Sequence, residues 1–204
     1  MLAIALSVAP LASANAQITG LFNTGVDGSG NKMAVGSTDT HYTVLENSGA
    51  QAIVTNNGAY VQDANSAYIW QQADGNPGGV VRNFRTTFTL LSGYDPTTAF
   101  ISGQWSTDNA GLDIFLNGVS SGQTSGGFGS FTSFLITNGF VVGLNTLDFE
   151  AADFGAPAGV DIRGLTGSAE PIKGTTTPEP ASIVLVASGL AGIGFARRLR
   201  RRQA

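Results

Sequence analysis

Hydrophobic and polar residues alternate with a period of two through much of the second half of the chain. In "VRNFRTTFTL", residues 81–90, Phe84, Thr86, Phe88 and Leu90 fall on one side and Arg85, Thr87 and Thr89 on the other. This spacing predicts a half-buried strand. "AFISGQW" puts Ala99, Ile101, Gly103 and Trp105 on one face, and "LDIFLNGV" sets Leu112, Ile114 and Leu116 inward. Asn117-Gly118 then supplies the residues of positive φ that a two-residue hairpin turn needs. "SFLIT", "NTLDFEA" and "GVDIRGL" predict three more strands, the second with Leu147 and Phe149 opposed to Asp148 and Glu150. Short strands about ten residues apart, joined by turn formers, predict an all-β antiparallel β-sandwich. The first half is less regular. "QAIVT", "AYVQ" and "AYIWQQ" are strand candidates, while Gly20 to Thr40 is nearly all turn formers and predicts irregular backbone.

Composition agrees with that pattern. The chain has 204 residues with 28 glycines and only 12% charged residues, and Ser, Thr and Asn are frequent. Such residues weaken helix interiors and favour turns, which argues against a helical bundle. Cysteine is absent, so disulfides and thiolate metal sites are excluded. Charge is unevenly placed: from Gln17 to Thr177 there are 13 acidic residues against Lys32, Arg82, Arg85, Arg163 and Lys173, a net of −8. An acidic body disfavours nucleic acid or anionic lipid as its partner.

Neither end follows the strand pattern. The start, "MLAIALSVAPLASANAQ", is a short apolar run followed by Ala14-Asn15-Ala16, the small-x-small pattern cut by signal peptidase. A signal peptide over residues 1–16 is expected, with Gln17 first in the mature chain. No Lys or Arg precedes the apolar run, as if the start had been placed too late and a basic leader were missing. Near the other end, "GLTGSAEPIKGTTT", residues 164–177, has the composition of a flexible linker. Pro178-Glu179-Pro180 follows. Ala181 to Ala196 carries no charge and is predicted to form a short, Gly-rich transmembrane helix. Arg197, Arg198, Arg200, Arg201 and Arg202 come next as a membrane stop that stays cytoplasmic.

That three-part arrangement, over about 27 residues, resembles the PEP-CTERM sorting signal of Gram-negative bacteria. The resemblance implies export, retention in the inner membrane, and processing by an exosortase that recognises Pro-Glu-Pro. It also implies a place at the cell surface or in a biofilm's extracellular polysaccharide matrix. Between the ends, a sandwich domain is expected over residues 17–163. Its aromatic strand, the "WSTDN" turn, the Asn117-Gly118 hairpin and "GLNTLDF" resemble the galactose-binding-like jelly roll, a fold shared by many carbohydrate-binding modules. This second resemblance, over Tyr68 to Leu165, speaks to fold more than to ligand.

Catalytic chemistry has little material. His41 is the only histidine, with a surface or loop position expected, so zinc and redox metal sites are not expected. No G-x-S-x-G elbow occurs, and the Gly-rich "SGQTSGGFGS" lacks the Lys of a phosphate loop and reads as a flexible hairpin loop. Asp148 and Glu150, two apart on one strand, share a face. They are either a solvated polar surface or half of a glycosidase pair. Asp108, Asn109 and Asp113 make an oxygen-rich turn whose ordinary reading is backbone capping and whose alternative is a structural calcium site; no other cofactor is expected. For sugar contact, Trp70 with Gln71 and Gln72 is the leading candidate, Tyr68 and Tyr94 are further aromatics, and Trp105 belongs to the core. The sequence thus predicts an exported, non-catalytic module that binds carbohydrate. Its alternatives are a structural matrix or surface-layer protein and, less favoured, a glycan hydrolase.

Overall fold

The computed structural model describes residues 16–173. The signal peptide, Ala14, the Pro-Glu-Pro motif, the apolar segment 181–196 and the arginine cluster lie outside the described residues. Ala16 is described as backbone only. No helix among the described residues is long and apolar enough to cross a membrane.

Among the described residues eleven strands form in chain order: β1 (Ala16–Gln17), β2 (Thr38–Val44), β3 (Ala50–Val54), β4 (Ile69–Trp70), β5 (Val81–Leu90), β6 (Phe100–Asp108), β7 (Ala110–Leu116), β8 (Val119–Ser120), β9 (Thr132–Ile136), β10 (Gly143–Ala152) and β11 (Gly159–Ala169). Every pairing between them is antiparallel. Their order is β8-β7-β10-β5-β2-β3-β4-β11-β6-β9, with β1 beside β11. The sheet doubles back on itself, so that β8-β7-β10-β5-β2 faces β11-β6-β9 and β3-β4 closes one side. Rings meet across the interior: Trp105 of β6 and Phe134 of β9 lie 5.7 and 5.6 Å from Phe149 of β10. This is the antiparallel sandwich that the alternation predicts.

The strand over 81–90 has the expected limits, and Phe84, Thr86, Phe88 and Leu90 are all buried. Asn117 and Gly118 adopt φ of 52° and 78°, closing the hairpin between β7 and β8. Four expectations need correction. Leu112 does not point inward; it is 41% exposed. The register between β7 and β10 slips so that Glu150 faces Asp113 while Ala151 faces Gly111, and Leu112 is the extra residue of a bulge. Gly111 takes the inward place, because a Cβ there would lie 2.3 Å from the Trp105 ring.

The second correction concerns residues 164–177. Gly164 to Ala169 belong to β11: Thr166, Gly167 and Ser168 pair with Ser102, Ile101 and Phe100, and Ala169 pairs with Ala16. Leu165, Gly167 and Ala169 alternate inward, but two of those three are too small to register as apolar periodicity. Third, Thr38 to Thr40, at the end of the stretch expected to be irregular, open strand β2, which also holds His41, and "AYVQ" forms no strand. Fourth, the "SGQTSGGFGS" stretch is fastened down. Ser125 exchanges two backbone hydrogen bonds with Gly111, and the Phe128 carbonyl accepts one from the Val61 N–H.

Candidate functional site

The two outer faces of the sandwich carry similar residue types in different settings. On the β7-β10-β5-β2 layer, cross-strand register sets Phe115, Asp148, Arg85 and Thr43 side by side in one row. Alternation explains why they share a face: Ile114, Leu147, Phe149 and Phe84 take the inward positions. Arg85 donates from Nε to Asp148 Oδ1 and from Nη2 to Asp148 Oδ2, each at 2.7 Å. The fork is bidentate, the stronger form of a charge-assisted pair. The hydrogen bond to Asp148 also raises the pKa of Arg85 above its ordinary value. The Arg85 side chain keeps 38% of its surface exposed against 8% for Asp148, and its Nη1 has no protein acceptor among the described residues.

The adjoining row holds Asp113, Glu150 and Asn83. Asn83 donates its backbone N–H and its side-chain amide to the Glu46 carboxylate, at 2.9 and 2.8 Å. Burial opposes ionisation of Glu46, but the bonds from Asn83 outweigh it and hold the pKa below the usual value. Asp113 is occupied by its own hairpin, accepting from the Gly122 N–H at 2.8 Å and from the Ser120 hydroxyl. The bare face thus offers a partly buried ring, one guanidinium with a spare donor, and the Glu150 carboxylate, all fixed by strand register.

The other layer is roofed. Residues 55–68 and 121–131 cross its outer face and bury Asp161, Ser106 and Asp108. Tyr68 Oη donates to Ser106 Oγ at 2.7 Å, and the Tyr60 ring lies 4.3 Å from that of Tyr68, tilted by 35°. Gly159 makes room for both rings, since a Cβ there would meet Tyr68 at 3.0 Å and Tyr60 at 3.2 Å. Arg163 donates to Asp63 Oδ2 at 2.8 Å and to Gln104 Oε1 at 3.0 Å, and lies 3.8 Å from the Phe131 ring centroid. Burial pushes Asp161 up to about 7 despite hydrogen bonds from Ser66 and Thr24, and pushes Asp108 up as well. Asp39, buried beneath Gly25 and His41, is raised for the same reason.

The residues singled out from sequence are dispersed. Trp70 is fully buried, packs 5.2 Å from Phe84 and donates its indole N–H to the Pro77 carbonyl. It is a core residue and offers no ring face to a sugar. Gln71 accepts from Arg82 Nε, and Gln72 is exposed. Tyr68 belongs to the roof, Tyr94 packs against the core, and Trp105 is core as expected. Asp108, Asn109 and Asp113 do not converge. Asp108 lies near Tyr60 and Asp153, Asn109 Oδ1 accepts from the Phe154 N–H, and Asp113 serves the β7–β8 hairpin. Among the described residues no three acidic or histidine side chains are grouped to hold a metal ion. His41 stands in β2 with its ring stacked 3.7 Å from Phe22. Asp148 and Glu150 do share the outer face, but both Asp148 oxygens are engaged by Arg85. Sequence reasoning missed the row because Phe115 and Arg85 lie on strands thirty residues apart; only register joins them.

Comparison with known proteins identifies the C-terminal segment. Residues 176–202 match the PEP-CTERM protein-sorting motif, a span that includes Pro178-Glu179-Pro180 and the arginine cluster. The motif implies an exported protein, anchored at the membrane before an exosortase processes it. No curated protein sequence matches the chain. Among solved structures, the body is similar to a CBM35 from Paenibacillus barcinonensis at 19% identity and a TM-score of 0.35, over 60% of this chain and 91% of that one. A cyclase from Fischerella sp. TAU is similar at 11% identity and a TM-score of 0.41, over 73% of this chain and 97% of that one. A tailspike protein of bacteriophage CBA120 is similar at 13% identity and a TM-score of 0.40, over 69% of this chain and 21% of that one.

Proposed function

We propose that this is a non-catalytic cell-surface or exopolysaccharide-matrix protein of a Gram-negative bacterium, and that it holds polysaccharide on the bare outer face of β7, β10 and β5. The observation that carries the reading is the row Phe115–Asp148–Arg85. Sugar rings present apolar C–H faces and hydroxyl edges, so a site needs an aromatic surface beside fixed donors and acceptors. Phe115 supplies the first. Arg85 Nη1, Glu150 and Asn83 supply the second, with Asp148 holding the guanidinium in place, and their strand positions limit the entropy lost on binding. Membrane anchoring through the C-terminal segment places the site outside the inner membrane while the protein awaits processing. Native gel electrophoresis through matrix polysaccharide tests the reading: the wild-type protein is retarded, and the paired Arg85→Thr, Asp148→Thr variant migrates as in a sugar-free gel. Equal retardation of the two proteins would refute it.

A purely structural surface-layer or matrix role is the second reading. The uncharged edge strand β9 favours it.

A further inference from the structure

The sandwich is closed on one side by β3 and β4 and open on the other, where β8 and β9 are the two ends of the strand order. No charged residue occurs anywhere in 114–147, the stretch that contains both edge strands, although the body carries a net −8. Within that stretch Val119, Leu135, Val141, Val142 and Leu144 are all exposed, Leu135 by 54% and Val119 by 60%. A cleft of about 250 Å³ runs between the edges, lined by Leu116, Val119, Leu135 and Ile136 with uncharged polar neighbours. The Asn117 amide bonds the Gly139 carbonyl, which ties the β7–β8 turn to the loop bearing Val141 and Val142.

Exposed sheet edges usually carry charge, proline or a bulge that prevents pairing with another chain. β9, "TSFLI", has none of these, and it pairs with β6 along its length without a register slip. Its other edge has no backbone partner among the described residues. We propose that this edge pairs with the same edge of a second copy of the chain, β9 against β9 and antiparallel about a two-fold axis. Charge selects the occupant. Two copies of a −8 body repel wherever their acidic surfaces approach, whereas β9 and the β6 residues it pairs with, Ile101 to Trp105, carry no charge. A cationic partner would be drawn instead to the acidic remainder. Antiparallel pairing of identical strands is self-complementary and closes at two copies. It leaves Leu135 of each copy on the shared outer surface and Phe134 in the core. The assembly goes beyond polysaccharide binding and uses a different face, leaving both bare faces free.

The chain contains no cysteine, so one introduced thiol reports the contact without background. Ser133→Cys and Leu135→Cys, alone and mixed in equal amounts, are oxidised in the full-length protein in detergent. Leu112→Cys, exposed on the bulge of β7, controls for association through the membrane segment. The expected result is a cross-linked dimer from the β9 thiols, alone or mixed, with loss of that product when Leu135→Lys accompanies Ser133→Cys. Retardation by polysaccharide should be unchanged in Leu135→Lys, which separates failure of this pairing from failure of the sugar site. Cross-linking no greater than in the Leu112→Cys control would overturn the proposal.

Discussion

The two outer faces of this sandwich each pair an arginine with an aspartate beside an aromatic ring, yet they hold them for different ends. On the β11-β6 face, Arg163 spends its donors on Asp63 and Gln104 and rests on Phe131, so its role is to fasten the roof. On the β10-β5 face, Arg85 spends two donors on its strand neighbour and keeps a third for solvent. Residue type does not separate these roles; what lies above the sheet does. A roof turns polar groups into internal structure with perturbed protonation, while a bare face leaves them ready for a ligand.

The largest effect that would sharpen this contrast is on the roofed side. Tyr68→Ala removes a buried ring and leaves Ser106 without its donor, which should lower stability by about 3–5 kcal/mol in denaturant unfolding. Removal of a ring from the bare face should cost far less. Next comes protonation. Asp161 titrates at about 7 in the fold, against about 3.9 when unfolded. The folded state therefore binds its proton more tightly. Stability should decline as pH rises between those values, on the order of 1 kcal/mol per pH unit from this group. Asp161→Asn should flatten that slope in unfolding curves measured from pH 4 to 7, and an unaltered slope would mean that the roof leaves Asp161 hydrated.

On the bare face, exchange of both Arg85 and Asp148 for threonine should change stability by about 1 kcal/mol or less, because neither charge is left unpaired. Polysaccharide retention should nevertheless be lost. Phe115→Ala is the smallest change, with a stability cost of about 1 kcal/mol and roughly tenfold weaker retention, as expected for one stacking ring. If Phe115→Ala unfolded the protein as readily as Tyr68→Ala, the two faces would be equivalent and the comparison would fail.

The strands from β5 onward were legible because their apolar residues are large and alternate cleanly, as Phe84, Phe88 and Leu90 do. The end of β11 was not, since Gly167 and Ala169 fill inward positions that larger residues cannot enter: a Cβ on Gly167 would come within 2.8 Å of the Phe100 carbonyl oxygen. β2 escaped because Asp39 faces inward and is buried beneath backbone donors from Gly25 and His41, a polar residue where alternation expects an apolar one. Trp70 misled for a related reason. Its glutamine neighbours suggest a surface, but β4 is only two residues long and both of them are core. The sorting segment was read directly, since its order of motif, apolar run and arginines depends on no tertiary contact. The Phe115–Asp148–Arg85 row could not be read in this way, because partners thirty and more residues apart meet only through sheet register.

The most direct test of the sugar site is the map of amide chemical-shift changes when matrix polysaccharide is added to the isotopically labelled body, residues 17–173. The account predicts changes concentrated at Phe115, Asp148, Glu150, Asn83 and Arg85 on β7, β10 and β5. Changes concentrated instead around Tyr60, Asp63 and Arg163 on the roofed side, or none at saturating polysaccharide, would contradict it.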